Sequence, residues 1–413
     1  MEGAARHGDF WEYRPNVFVV AGGTLARHIL VRTGKEFLPP RGVFPLPEHV
    51  RRAFTSHTLL PDDLKAARRA FSHNGVSQST GVLACEAATL AKEWETGRAV
   101  EVMPAMRRAM SRMGAQFCYG ADASGMTHAE LRLAHLRDTA HPRTTYLPPQ
   151  ILTPTRLRLR RGLHDLVRRI DDVIERREGG MAPAAADASD VLSAMIASAR
   201  QHGTPPGRNI PHILAPLHVA AQEMPTRAAA WMLLCLAEHP GAADRVADEA
   251  SALPADPGQI TATHAARMRF TDAFVRETLR MYPPNWLAER VVTVPVHLAG
   301  HQLAPGTRVL VSPYLLHRNP RYHRDPSRFR PERWLERERP GATDAYLPYG
   351  AGPRLCPGAA LATLELTLVL ALTARHLHVS TPHATPYRLT SLGALTPQDL
   401  RLVYRRREGN LLC

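Results

Sequence analysis

The spacing of apolar positions along the chain predicts a mainly α protein with small β-sheets at both ends. Asn16 to Val20 is a short β-branched and aromatic run, and Gly22-Gly23 then turns the chain into a helical pattern through Leu25, His28, Ile29 and Val31. The proline-rich stretch Pro39 to Pro61 is expected to be mostly loop, ahead of helical segments around Asp62 to Phe71 and Gly81 to Glu95. Arg156 to Arg177 reads as a long basic amphipathic helix, and Gly179 to Ala188 as a Gly/Ala/Pro loop between helices. Pro211 to Glu238 is a long apolar helical run, interrupted at Pro216 and Pro225 because proline has no N–H for the ladder. Thr263 to Tyr282 is a further helix, stopped by Pro283-Pro284. From Val291 to Val311 the pattern changes to short strands, with turns at Ala299-Gly300 and Pro305-Gly306. A loop-rich stretch runs to Leu347, and a final apolar helix spans Gly358 to His376. No internal repeat interrupts this order.

Composition narrows the partners. A length of 413 residues permits two average domains or one large one, and 44% hydrophobic with 22% charged residues is ordinary for a folded chain. The formal charge of +14 is nearly all arginine, since lysine occurs only at Lys35, Lys65 and Lys92. That is the usage of a GC-rich coding sequence and carries no demand for phosphate, so no nucleic-acid role is expected. A positive surface instead favours encounter with an acidic protein. Five scattered cysteines (Cys85, Cys118, Cys235, Cys356, Cys413) show neither CxxC pairs nor metal-ligand spacing, which argues against disulfides and zinc. No signal-peptide pattern opens the chain, and the apolar stretch from Asn16 to Val31 is broken by Gly22, Gly23, Arg27 and His28. A cytoplasmic protein without a membrane anchor is expected.

One of the five cysteines stands out. Tyr349 to Gly358 carries three glycines and two prolines directly before the helix of Leu361, Leu364, Leu368 and Leu372, which puts Cys356 at a helix N-terminus. The helix dipole and free N–H groups there are expected to lower the thiol pKa and favour a thiolate, the form that ligates iron. Pro357 removes one donor and leaves the N–H groups of Gly358 and Ala359 for the sulfur. Arg354 is placed to pair with an anionic group.

Tyr349-Gly-Ala-Gly-Pro-Arg-Leu-Cys-Pro-Gly358 resembles the haem-binding signature of the cytochrome P450 superfamily, aromatic-Gly-x-Gly-x-Arg-x-Cys-x-Gly, with Tyr349 where phenylalanine is usual. The resemblance extends over nearly the whole chain. It implies a single-domain cytochrome P450 fold over 1–413, binding haem b through Cys356, with Tyr349 and Gly350 in the cofactor loop and Arg354 on a propionate. The family's thiolate promotes O–O cleavage. Glu277-Thr-Leu-Arg280 lies one turn apart on one helix face, and with Arg333 in Phe329-Arg-Pro-Glu-Arg-Trp334 it is similar to the family's structural Glu-Arg-Arg triad. Arg290 matches an arginine that reaches a propionate. Arg68 falls where the family often has Trp-x-x-x-Arg, with Leu64 in the tryptophan place and Arg69 as the alternative. The histidines of Leu316 to Pro326 receive no chemistry.

The chain departs from the family on the oxygen-binding helix. Its small-small-x-acid-Thr stretch reads Ala220-Ala-Gln-Glu-Met-Pro-Thr226, so Glu223 fills the acid position and Met224 replaces the hydroxyl. In the family the acid and alcohol relay protons to dioxygen, and methionine has no proton to donate. Pro225 is expected to open the helix, and Thr226 points roughly 200° away. Three readings stay open: water or a substrate hydroxyl replaces the alcohol, the oxidation is atypical, or the helix is merely tolerant. The expected function is a monooxygenase inserting one oxygen atom from O2 into a small hydrophobic substrate, such as a terpenoid or polyketide, in bacterial specialised metabolism. Electrons would come from NAD(P)H through a ferredoxin and its reductase. The pocket would be lined by Leu217, Ala221, Met224, Trp286, Leu287 and Leu395. The alternatives are a peroxide-driven or rearranging haem enzyme and a haem-binding protein that has lost catalysis.

Overall fold

The protein is described by a computed structural model over residues 8–40, 62–95, 97–138, 153–179, 190–336, 344–382, 387–391 and 393–407. Most of the loop Pro39 to Pro61, most of the linker Gly179 to Ala188, and Cys413 lie outside the described residues. The apolar run near the N-terminus forms a hairpin, β1 (Phe10–Arg14) with β2 (Val17–Val20), turning at Asn16 in a left-handed conformation. β1 lies ahead of the strand expected at Asn16 to Val20. All four residues of β2 are buried, because this strand is interior to a sheet. β2 runs parallel to β8 (Arg308–Val311), and β8 pairs with β5 (Ala288–Val292), which pairs with β3 (Phe37–Leu38). The sheet order β1-β2-β8-β5-β3 thus joins the N-terminal region to a segment almost 300 residues later. Strands expected in separate sheets at the two ends are therefore neighbours in a single mixed sheet. Between β5 and β8, the hairpin β6 (Val296–Leu298) and β7 (His301–Leu303) turns on Ala299 and Gly300, both at positive φ, as a two-residue turn requires.

Four helices fall where the apolar pattern places them, α1 (Gly23–Val31), α2 (Asp62–Ala70), α4 (Thr80–Trp94) and α7 (Pro154–Glu178), and α3 (His73–Ser77), α5 (Val102–Tyr119), α6 (Ala123–Asp138) and α8 (Val191–Gln201) are added by the structure. Thr153 caps α7 by accepting from the Arg156 N–H, with Pro154 at the first helical position. Asp190 caps α8 in the same way through Ser193. Next come α9 (Ile210–Glu238), α10 (Pro240–Ser251), α11 (Ala262–Arg267), α12 (Arg269–Met281), α13 (Pro313–Leu316) and α14 (Ala359–His376). α14 is long and apolar enough to cross a membrane by length and composition, yet 67% of it is buried in the core. It packs against α4, α9 and α10.

Two helix expectations are corrected. α9 is continuous through Pro216 and Pro225, where interruption was expected. Pro225 has no N–H for the Ala221 carbonyl, but around it the Thr226 hydroxyl donates to the Gln222 carbonyl at 2.7 Å and the Arg227 guanidinium to the Glu223 carbonyl at 2.9 Å. Burial of α9 on most faces outweighs the two missing ladder bonds. Thr263 to Tyr282 is two helices, α11 and α12, broken at Met268. The break is capped from a distance, since the Glu249 carboxylate of α10 accepts from the N–H groups of Phe270 and Thr271 at 2.8 Å each.

Candidate active site

The cysteine loop is shaped by two glycines at positive φ, Gly350 (75°) and Gly352 (68°), which coil it back on itself. The coil closes with the Cys356 N–H donating to the Tyr349 carbonyl at 3.0 Å. Gly352 is also pressed on the end of α1: a Cβ there would lie 2.6 Å from the Leu30 carbonyl oxygen and from Val31 Cα. Gly352→Ala therefore combines left-handed strain with a backbone clash and is expected to destabilise the protein by about 2–4 kcal/mol. At Gly350 the nearest atom to such a Cβ is 3.9 Å away, so Gly350→Ala should cost only about 1–2 kcal/mol. Denaturant midpoints of the two variants check the order. Tyr349 packs its ring against the core and shares a hydrogen bond with the Thr363 hydroxyl of α14 at 2.8 Å. Burial pushes its phenol up to about 12.

Cys356 lies one turn before α14 and keeps an exposed side although the loop encloses it elsewhere. Burial pushes its thiol upward, against the pull of the Gly358 N–H. The expectation that the helix end alone would favour thiolate is thus corrected: in the free protein desolvation outweighs it. Proton loss is then coupled to metal binding, where the cation replaces the proton. Ala359 is not a second donor to sulfur, because its N–H donates to the Cys356 carbonyl at 3.4 Å.

Three guanidiniums converge near this loop. Arg290 of β5 donates to the Thr33 hydroxyl at 2.9 Å and to the Glu289 carbonyl at 2.8 Å. Burial, reinforced by the charge of Arg354, holds it down at about 10. Arg354 is likewise held down, by burial first and then by Arg68. Among the described residues no carboxylate pairs with Arg68, Arg290 or Arg354. Arg69, the alternative to Arg68, instead acts on Asp62 at the start of α2. Mutually repelling cations that run from buried (Arg290) through partly buried (Arg354) to exposed (Arg68), with no acid among the described residues paired to them, suit a bound group bearing carboxylates.

The base of the site is the Glu277 triad, wholly buried. Both Glu277 oxygens are held by Arg280, at 2.9 and 2.8 Å, and by further donors: Arg333 Nε at 3.0 Å, the Arg330 N–H at 2.9 Å and Trp334 Nε1 at 2.9 Å. Arg280 also donates to the carbonyls of His317 and Pro326, both at 2.8 Å, and Arg333 to that of Arg324 at 2.6 Å. Burial pulls the Glu277 carboxyl upward, but the bonds and charges of Arg280 and Arg333 outweigh it and hold the group below its ordinary range. His317, given no role from sequence, ties this network to the cysteine loop: its Nε2 accepts from the Leu347 N–H at 2.9 Å, so the buried ring is neutral. No local pattern marks it.

Opposite packing surfaces of α9 differ. In a helix otherwise largely buried, Ala220 and Met224 are exposed and Leu217 and Ala221 partly so, which places one apolar face against open space. Met224 is 36% exposed. Thr226 faces the other way, buried, as the 200° offset requires. Glu223 flanks the open face under three arginines: Arg137 of α6 donates to it at 2.7 Å, Arg107 of α5 lies 3.6 Å away, and Arg227 pairs with it one turn on. Burial raises the Glu223 carboxyl, and these cations together hold it below its ordinary value. Arg227 is visible in the sequence at i,i+4; Arg107 and Arg137 are not. Trp286 and Leu287 are half-buried, and Leu395 is buried, its N–H donating to the Pro284 carbonyl and its carbonyl accepting from Trp231 Nε1.

A cysteine with one open side, acid-free cations around it and a helix bearing an apolar open face together define a haem-thiolate oxidoreductase. The chain belongs to the cytochrome P450 family, whose model matches residues 6–402. It is 30% identical over 331 residues to cyclooctatin synthase of Streptomyces melanosporofaciens, covering 77% of this chain and 70% of that one. To the cyclooctat-9-en-7-ol 5-monooxygenase of the same organism it is 30% identical over 312 residues, covering 73% and 66%. To pentalenene oxygenase of Streptomyces avermitilis it is 28% identical over 345 residues, covering 81% and 75%. In fold it matches the structure of retinoic acid bound cyanobacterial CYP120A1 with a TM-score of 0.80 at 19% identity, over 98% of this chain and 93% of that one. The family's cofactor is haem with cysteine thiolate ligation, its oxidant is O2, and its members work with redox partners.

Proposed function

We propose that this chain is a single-domain, cytoplasmic monooxygenase that inserts one oxygen atom from O2 into a hydrophobic terpenoid of bacterial specialised metabolism. The observation that carries the substrate class is the apolar open face of α9, Leu217, Ala220, Ala221 and Met224, which offers no hydrogen bond to a polar substrate. The names of the Streptomyces relatives, two tied to cyclooctatin and one to pentalenene, support it. Electrons are taken from NAD(P)H through a ferredoxin and its reductase, a pairing that the net charge of +14 suits if the ferredoxin is acidic.

In this reading the Cys356 sulfur would hold the haem iron, and haem when bound would supply the activation of O2. Arg290, Arg354 and Arg68 hold its carboxylates and lose their mutual repulsion in doing so. Tyr349 and Gly350 shape the loop that presents the thiolate. Glu277, Arg280 and Arg333 keep the supporting loops rigid. Leu217, Ala221 and Met224 exclude water and orient the substrate. Glu223 holds the proton supply at the edge of the site; Met224 adds none, and Thr226 is turned away, so water or a substrate hydroxyl completes the route.

Titration with pentalenene and cyclooctat-9-en-7-ol, read by the shift of the haem absorption band, tests the substrate class. Shifts with these probes, and none with polar analogues of similar size, are expected; the reverse order overturns it. Met224→Thr restores a hydroxyl where the family carries one and should raise product per NADPH about two- to tenfold while lowering released peroxide. Unchanged yield and peroxide would show that position 224 has no part in proton supply. A peroxide-driven reaction is the second reading, favoured by the same methionine; turnover with peroxide but not with ferredoxin selects it.

A further inference from the structure

Behind the open face of α9 lies a buried polar cluster for which the reaction above has no use. Its centre is Glu130 of α6, 1% exposed. One of its oxygens accepts from the Ser111 hydroxyl of α5 at 2.9 Å, and the other from Arg137 Nη2 at 3.4 Å. That same Arg137 nitrogen donates to Glu223 at 2.7 Å. Gln222, the chain neighbour of Glu223, has its amide 3.0 and 2.7 Å from the two Glu130 oxygens, and the carboxylate assigns the nitrogen to that side and the amide oxygen to His218. Space for Gln222 is made at Gly114 of α5, where a Cβ would stand 3.0 Å from Gln222 Cγ. Glu130 therefore reaches Glu223 twice, through a shared guanidinium and through the adjacent residue of α9.

We propose that Glu130 is a positioning residue for proton supply, dividing Arg137 with Glu223 and so setting how firmly Glu223 is held at the edge of the site. The proposal rests on the role given to Glu223 above. One nitrogen of Arg137 serves two carboxylates, so whatever one acid draws from it the other loses. An ionised Glu130 pulls Arg137 away and loosens Glu223; a neutral Glu130 leaves the guanidinium to Glu223. Burial raises the Glu130 carboxyl, against Arg137, Ser111 and Arg107, while the Glu223 charge also raises it. These are the groups that bear on it from α5, α6 and α9, together with His218, which burial and then Arg137 keep neutral at about 3.

Glu130→Gln fixes the neutral state with nearly the same shape. It should lower kcat about tenfold, raise the peroxide released per NADPH, and leave KM for the probe unchanged, with pentalenene or cyclooctat-9-en-7-ol as probe, whichever gives the larger spectral shift. The solvent isotope effect on kcat should increase. In a Glu223→Gln background the same substitution should change nothing further. Infrared titration of the resting protein supplies a readout independent of turnover: Glu130→Gln should move the Glu223 carboxyl to lower pH, because Arg137 is then its own. An equal loss of kcat in both backgrounds, or an unmoved Glu223 titration, overturns the proposal. If Glu223→Gln impairs coupling and Glu130→Gln does not, only the role of Glu130 fails; if Glu223→Gln itself leaves coupling unchanged, the reading of Glu223 fails with it.

Discussion

Cys356→Ser is expected to remove the red-shifted band of the reduced carbon monoxide complex and to lower monooxygenase turnover by at least about a thousandfold, the scale on which a group indispensable to the chemistry is missed. A serine hydroxyl does not ionise where a thiol does and donates far less electron density to iron, so haem held by Arg68, Arg290 and Arg354 would lack its anionic sulfur ligand. The fold should survive. The loop's closing bond runs from the backbone N–H of residue 356 to the Tyr349 carbonyl, and Gly350 and Gly352 set its path, so none of this depends on sulfur. Melting curves should therefore overlay for the haem-free proteins. An unchanged carbon monoxide spectrum would sink the assignment of Cys356 as the ligand.

Glu277→Ala is the other large effect, and it acts on stability. The substitution leaves the guanidiniums of Arg280 and Arg333, the Trp334 indole N–H and the Arg330 N–H without their common acceptor in a site closed to water. Breaking a buried ion pair from one side costs about 3–5 kcal/mol, a large part of the roughly 5–15 kcal/mol that holds a domain together. Little haem-loaded protein is expected, and a denaturant midpoint far below that of the parent. Glu277→Gln keeps one acceptor oxygen and should lose less. The sign of the acid dependence follows from the held-down carboxyl: its contribution is complete above the ordinary value of 4.5 and is lost as pH falls through the lower folded value. Removing Glu277 should flatten that part of the acid unfolding curve, and an identical curve would refute the account.

Much of the site is legible in the order of residues alone. The cysteine loop announces itself because tight coiling needs glycine at given positions, and those positions are neighbours in the chain. Glu277 and Arg280 are readable as a pair because helix geometry puts i and i+3 on one face. Thr226 points away from the open face, as its place on the helical turn requires. The features that local pattern misreads share a cause. The break at Met268 depends on Glu249 arriving from another helix, the survival of α9 through Pro225 depends on its burial, and Leu395 is buried with its backbone carbonyl held by Trp231.

The sequence by itself determined the helical class, the cysteine that carries the chemistry, the triad acid with its helical arginine, and the loss of the alcohol beside Glu223. Each is written within about ten residues, where backbone sterics and the 3.6-residue turn dictate the outcome whatever the surroundings. Only the tertiary structure decided that both ends of the chain share one sheet and that Arg68, Arg290 and Arg354 meet with no acid among the described residues paired to them. It alone decided that burial works against the Cys356 thiolate, and that one guanidinium joins Glu130 to Glu223. Those are matters of distance and dielectric between residues far apart in the chain, fixed when the core packs and not before.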